Sequence, residues 1–253
     1  MGWETRMNQD LRDRLPTLQS ANEHADSLRK VYYRTKGDIV VRNLKKNGFD
    51  AYYAEDRGEA ADLLFQLIPS QSTIGCGDSH TLFDLQIEDR LRVEKKCDLI
   101  SHRCALNVDA AEHPAGSDLL IGTKEEMQEL LIRYLISDVF LLGANAITLD
   151  GQIVNCDGRG NRVVGGIYGP RRIIVVAGMN KVTPDLPSAK ERIGFIAAPM
   201  NNLKYGQELA CVKSGKCMDC KDTRRICNIT TVIHRKPENA DYHVILVGEE
   251  LGF

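Results

Sequence analysis

The sequence predicts an α/β sandwich built on a mostly parallel sheet, and three observations carry that expectation. Short apolar runs at Asp138–Leu142, Ile173–Val176 and Val244–Val247 read as strands covered on both faces. Segments with helical spacing separate them, as strand-helix-strand units require. The third is composition: 253 residues with 43% hydrophobic and 27% charged side chains describe an ordinary soluble globular chain with a real core. A net charge of −2 excludes a nucleic-acid binder recognised by bulk charge, and no apolar stretch approaches a membrane span.

In chain order, residues 1–48 form a helical N-terminal part. Leu28, Val31, Tyr32, Thr35, Val40 and Leu44 recur at three- and four-residue steps, and Gly48 stands where a C-terminal cap belongs. Phe49–Ala54 reads as a strand, followed by a helix around Ala60, Leu63, Leu64 and Leu67. The Ser72–Ile74 run enters the glycine-rich turn Gly75-Cys76-Gly77-Asp78-Ser79. Glu125–Ile136 is helical through Met127, Leu130, Leu131, Tyr134 and Leu135, and leads into the Asp138–Leu142 strand. Asp150-Gly151, with apolar residues on either side, signals a β-hairpin appended beyond that strand. Pro184 opens a helix running to about Ile196. No repeat or linker divides residues 1–253, which read as a single domain with a cysteine-rich segment at 205–235.

Ligands of such sheets gather at the carboxyl ends of the strands, so the loops there are the first place to look. Gly75, Gly77, Asp78, Ser79, His80 and Thr81 follow one strand. The glycines permit close backbone approach, and the amides suit an anion. Neither a Walker loop nor a dinucleotide fingerprint is present, and the same residues equally form a capped glycine turn. The second concentration is Asn145, Asn155, Asp157, Gly158, Gly160, Asn161 and Arg162. These side chains offer donors and acceptors for a small polar ligand, with Arg162 suited to a carboxylate or phosphate; many also favour turns. His80 is the most site-like of the six histidines because of its loop.

Eight cysteines are the anomaly of the composition. Cys211, Cys217, Cys220 and Cys227 are spaced C-x5-C-x2-C-x6-C, and the tight Cys217/Cys220 step lets two sulfurs reach one metal or cluster. From Cys211 to Lys236, seven Lys/Arg face two Asp/Glu, an excess that stabilises thiolates. Core thiols, a disulfide or redox switch, and a metal site are the competing readings; metal binding is favoured because core cysteines do not bunch in a Lys-rich loop. A [4Fe–4S] cluster is preferred to zinc, which usually shows two short ligand pairs. Cys76 and Cys156 fall in ligand loops, whereas Cys97 and Cys104 read as interior. The polar, mixed-charge N-terminus resembles neither signal nor transit peptide, so a cytoplasmic location is expected, where thiols stay reduced.

The stretches SDVFLLGANAITLDGQIVNCDGRGNRV, YGPRRIIVVAGMNKVTPDL, SGKCMDCKDTRRICNITTVIHRKP and VILVGEELGF resemble the lactate-utilisation (LUD) domain family from about residue 35 onward. The resemblance implies a Rossmann-like three-layer α/β/α domain related to the sugar-phosphate isomerase and coenzyme A transferase fold. It assigns phosphate or acyl binding to Gly75, Gly77, Asp78, Ser79 and Thr81, and the family's asparagine motif to Asn145, Asn155, Asp157 and Asn161. It also implies an iron–sulfur oxidoreductase component acting on lactate or a related small carboxylate, working with a redox partner protein. Two alternatives stand beside it: a non-redox isomerase, transferase or lyase with structural zinc and a phosphorylated ligand, and a metabolite- or redox-sensing subunit. The sequence leaves homo-oligomerisation open and gives no reason to expect nucleic acid or membrane.

Overall fold

The structure, a computed structural model, describes residues 21–100 and 124–253. The segment 1–20 of the expected N-terminal helical part, together with His102, Cys104 and His113, lies outside the described residues.

Six strands form one parallel sheet in the order β1-β10-β7-β4-β2-β3. They are β1 (Asp50–Ala54), β2 (Thr73–Cys76), β3 (Asp98–Ile100), β4 (Val139–Gly143), β7 (Arg172–Gly178) and β10 (Asp241–Val247). The apolar runs are continuous because successive residues bury on opposite faces. Phe140, Leu142, Ile173, Val175, Val244 and Leu246 share one core with Val40 and Leu44 of α1 (Ala21–Lys46) and Leu131 of α5 (Lys124–Leu135). Val139, Leu141, Ile174, Val176, Ile245 and Val247 share the other. There they meet Leu64 of α2 (Arg57–Leu67), Leu82 of α3 (His80–Asp84) and Leu91 of α4 (Ile87–Lys95). Helices on both faces make the three-layer α/β/α arrangement of a Rossmann-like domain.

Two local expectations change. The stripe read along α1 is only half used: Val40 and Leu44 bury, while Leu28 and Tyr32 stay exposed. The helix placed at Pro184 opens two residues later, as α7 (Leu186–Arg192). Asp185 caps it by accepting the Ser188 amide at 2.8 Å, and Pro187 occupies its first turn. It continues through a π-helical turn, Ile193–Ala197, into α8 (Ala198–Lys204).

The hairpin is larger than a simple appendage. β5 (Ala146–Thr148) and β6 (Ile153–Asp157) pair antiparallel around the Asp150-Gly151 turn, as the dipeptide requires. β8 (Val182–Thr183) adds to β5 and β9 (Ile229–Ile233) to β6, giving a second sheet ordered β8-β5-β6-β9. The turn is held against α1, where Asn43 Nδ2 donates to Leu149 O and Asn47 Nδ2 to Asp150 O and Gly151 O. Gly151 has φ +82°, and a Cβ there would meet the backbone nitrogen of Leu44 at 2.7 Å. Gly151→Ala is therefore expected to cost roughly 2–4 kcal/mol, the sum of a left-handed backbone penalty and a backbone clash. A chemical denaturation midpoint equal to that of the parent chain would show that this docking contributes nothing.

Among the described residues, no helix is long and apolar enough to cross a membrane.

Candidate functional site

The loops leaving β2, β4, β7 and β10 at their carboxyl ends converge on a cavity of about 370 Å3. One further wall is the segment between α9 (Ala210–Ser214) and β9, which contributes Thr223, Arg224, Arg225, Ile226 and Asn228. Five lining residues are Lys or Arg and two are Asp, so the cavity carries an excess of positive charge.

The two aspartates are occupied. Asp78 is ion-paired with Lys204 at 2.6 Å, a lysine whose side chain is almost wholly buried, and also accepts from the Tyr205 hydroxyl. This clamp ties the glycine loop to the end of α8. Asp157 accepts the Arg159 amide at 3.2 Å and those of Arg162 and Val163 at 3.1 and 3.2 Å, opening the short α6 (Asn161–Gly165).

The residues named from the glycine loop divide. Asp78, Ser79 and His80 line the cavity. Gly75 instead lies within β2, where a Cβ would strike Phe140, and Gly77 packs against the Arg162 side chain. Thr81 is buried behind the wall, where its hydroxyl receives a hydrogen bond from Lys181.

The asparagine group divides in the same way. Asn145, Asp157, Gly158, Asn161 and Arg162 line the cavity, and Asn155 lies buried behind. The Asn145 carboxamide oxygen accepts from the Cys156 amide at 2.7 Å and from Arg162 at 3.1 Å. The Asn155 oxygen accepts from the Asn145 amide and from Arg162 at 2.8 Å. Arg162 also donates to Gly143 O at 3.2 Å and Cys156 O at 2.6 Å. The two terminal nitrogens of its guanidinium thus join the end of β4 to the hairpin while the side chain lines the cavity.

Lys181, not picked out from the sequence, is the most distinctive group in the cavity. It follows β7 on the turn Met179–Lys181, is 3% exposed and lines the cavity. Its Nζ donates to Thr81 Oγ1 at 2.6 Å. Among the described residues no carboxylate forms an ion pair with it. Burial lowers its pKa to about 7, helped by Arg192 and Arg162 and opposed by Asp84. Arg192 is itself buried and held by Asn180 O and Asn145 O, with burial bringing its pKa down to about 10.

The four clustered cysteines occupy α9 and the segment after it. Cys211 is buried, Cys220 and Cys227 are half-buried and Cys217 is exposed; none forms a disulfide. Three sulfurs face N–H donors: Asn202 Nδ2 lies 3.3 Å from Cys211, the Asp219 amide 3.4 Å from Cys217, and Arg225 Nε 3.2 Å from Cys227. Arg225 also donates to Cys220 O and Cys227 O. Cys156, on the cavity wall, packs with Cys227 against Ala146, Val154, Ala189, Ile193 and Ala198. Burial pushes the Cys156 thiol up, and neighbouring Cys227 adds to the shift. Cys76 and Cys97 are buried in the core opposite α1.

No three of these sulfurs lie within 4.8 Å of one another. Tetrahedral zinc, with Zn–S bonds of about 2.3 Å, would hold its sulfurs about 3.8 Å apart. Four thiols in a basic segment, three of them with N–H partners, are a donor set suited to either zinc or an iron–sulfur cluster, of which the cluster spreads its ligands more widely. Among the described residues one other group has metal-type ligand atoms close together: Asp50, Asp241 and His243, at the amino ends of β1 and β10 and away from the cavity. There Asp241 is engaged by Arg172 at 2.6 Å and by His243 at 2.8 Å.

A family model described as LUD domain matches residues 38–247. A solved structure of a DUF162 family protein from Deinococcus radiodurans is similar over 86% of this chain and 98% of that one, at 12% identity and a TM-score of 0.44. No curated protein matches the chain.

Proposed function

The chain belongs to the LUD-domain family, and from that premise we propose that it is an oxidoreductase component acting on lactate or a related small 2-hydroxy carboxylate. The observation that carries the reading is a juxtaposition. The segment bearing Cys220 and Cys227 forms one wall of a cationic cavity, and buried Lys181 lies on another. The excess positive charge suits a carboxylate. In its neutral form Lys181 can accept the hydroxyl proton of a bound 2-hydroxy acid and return it in the reverse direction, with a pKa near the working pH. Thr81 orients the amine through its hydroxyl, and the Asp78–Lys204 pair keeps the glycine loop in place beside it.

In this reading Cys211, Cys217, Cys220 and Cys227 hold a [4Fe–4S] cluster, which when bound supplies one-electron transfer towards a redox partner protein. A reducing cytoplasm is the setting such thiols need. Neither nucleic acid nor a membrane has a role in it. A second reading, non-redox proton transfer on a carboxylate or phosphate ester, is favoured by Lys181 alone, because a lysine base serves either chemistry.

Anaerobic purification separates the two. Brown protein with about four irons per chain, and lactate-dependent reduction of an artificial acceptor, are the expected results. Colourless protein with stoichiometric zinc and no such reduction would replace the first reading with the second. Cys220→Ser is expected to lose most of the iron, since a hydroxyl is a much poorer ligand than a thiolate. Full iron content in that variant would remove Cys220 from the ligand set.

A further inference from the structure

We propose that Lys181 is a nucleophile that condenses with an anionic ketone or aldehyde in the cavity to form an imine. The inference rests on the reading above, that the cavity takes a small anion, and adds a covalent activity to it.

Three features of the geometry point to it. Lys181 reaches the cavity from a rigid position, a short turn directly after a central strand of the parallel sheet. Its Nζ contacts a hydroxyl rather than a carboxylate: Thr81 Oγ1 lies 2.6 Å away, and no ion pair forms among the described residues. A lysine that served only as a fixed positive charge would be stabilised by a carboxylate, as Lys204 is by Asp78. Finally, Lys181 is 3% exposed, and the positive charges of Arg192 and Arg162 act on it against the opposing charge of Asp84; burial beside other cations is one of the arrangements that keeps a lysine amine unprotonated and nucleophilic.

The same surroundings select the substrate. Arg162 and Arg192 would disfavour an iminium here and Asp84 offsets them in part, so a carbonyl compound that brings its own negative charge, as a carboxylate or a phosphate, is favoured. The cavity's excess of cationic residues matches that demand.

The step balances without a co-reactant. The Nζ lone pair attacks the carbonyl carbon, and the amine loses a proton while the carbonyl oxygen gains one, giving a carbinolamine. A proton from solvent joins the carbinolamine hydroxyl, the C–O bond breaks, and water departs as the nitrogen lone pair forms C=N; the product is an iminium that keeps its N–H proton and becomes the imine on losing it. Nothing is oxidised or reduced. The Thr81 hydroxyl, in contact with Nζ, is placed to relay the amine proton.

The test uses the full chain at pH 7 with cyanoborohydride and one of three probes: pyruvate, dihydroxyacetone phosphate, or uncharged hydroxyacetone. The first two separate carboxylate from phosphate as the anionic group. Peptide mapping should find the reduced adduct, a mass gain of the ketone minus water plus two hydrogens, on Lys181. An ordinary surface lysine has roughly a thousandfold smaller neutral fraction at this pH, so labelling elsewhere should be far lower. Adduct on Lys181 with either anionic probe and little with hydroxyacetone supports the proposal. Labelling spread over surface lysines, or equal labelling by hydroxyacetone, overturns it. Lys181→Met should abolish the adduct, and the mapping on the unaltered chain stands even if that variant folds poorly. Calorimetric binding of pyruvate without an adduct on Lys181 would reject the imine and leave the acid–base role standing. No binding of pyruvate, lactate or dihydroxyacetone phosphate would reject both.

Discussion

Lys181→Met is expected to lower turnover by about 10²–10⁴-fold, the usual contribution of a positioned acid–base group, and at the same time to raise thermal stability at neutral pH. The two effects have one cause. In the folded chain the Lys181 pKa falls to about 7, because charging it inside the core is unfavourable, while the unfolded chain keeps the ordinary value of 10.5. Between these two values the unfolded state binds the extra proton, so the contribution of Lys181 to stability rises with pH across that window. At pH 7 the parent chain carries nearly the whole penalty; above about 10.5 both states are neutral and it vanishes.

A methionine of similar length carries no such penalty. By analogy with other buried charges replaced by apolar side chains, the gain at pH 7 is about 1–4 kcal/mol, or about 2–4 °C of melting temperature per kcal/mol for a chain of this size. The measurement is the difference in melting temperature between variant and parent from pH 7 to pH 10.5, which should shrink as pH rises. A difference that stays constant, or a variant less stable at pH 7, would show that burial does not lower the pKa of Lys181. If the proposed activity holds, kcat/KM of the parent chain should increase tenfold per pH unit below about pH 7 and level off above it, as the amine loses its proton.

Replacing Arg162 by leucine is expected to act in the opposite direction, costing about 3–5 kcal/mol and about 6–20 °C of melting temperature. Its two terminal guanidinium nitrogens make four hydrogen bonds, to Gly143 O, Cys156 O and the side-chain oxygens of Asn145 and Asn155. These join the end of β4 to β6 across the start of the hairpin. Leucine fills part of the volume but leaves buried acceptors without their charged partner, a costly change. Arg162→Lys should recover little, because one ammonium cannot occupy the places of two terminal nitrogens in a planar fork. If Arg162→Lys melts within 2 °C of the parent, roughly the shift from 1 kcal/mol or less, these bonds do not hold the junction. Loss of ligand affinity with unchanged melting temperature would instead make Arg162 a direct ligand contact.

The contrast between Arg162 and Lys181 shows where the sequence was informative. Arg162 stood out because it lies among Asn145, Asn155, Asp157 and Asn161, and three of these four bond to it: Asn145 and Asn155 at the guanidinium and Asp157 at the amide. What spacing cannot tell is whether such polar groups face a ligand or face each other, since both uses ask for the same donors and acceptors. Lys181 carried no local signal. In the run GMNKVTPD it is one lysine after a strand, and lysines are normally exposed. Its hydrogen-bond partner is Thr81, a hundred residues earlier, and it feels the charge of Arg192; neither marks it in the sequence.

The cysteines follow the same division. The spacing of Cys211, Cys217, Cys220 and Cys227 is local and singled out the segment without any structure. That Cys156 packs beside Cys227, and that this segment closes the cavity, depends on β9 pairing with β6 seventy residues away.

By itself, then, the sequence determined the alternation of strands and helices, the two-sided burial of the central strands, the turn at Asp150-Gly151 and the cysteine segment. All four are written in periodicity or in residues with restricted backbone preferences, which act over a few positions. Only the tertiary structure decided the strand order, the growth of the hairpin into a four-stranded sheet, the bonding of Arg162 to β4 and the hairpin, and the burial of Lys181. These depend on which distant segments meet, and a side chain's charge and exposure are properties of that meeting rather than of its neighbours in the chain.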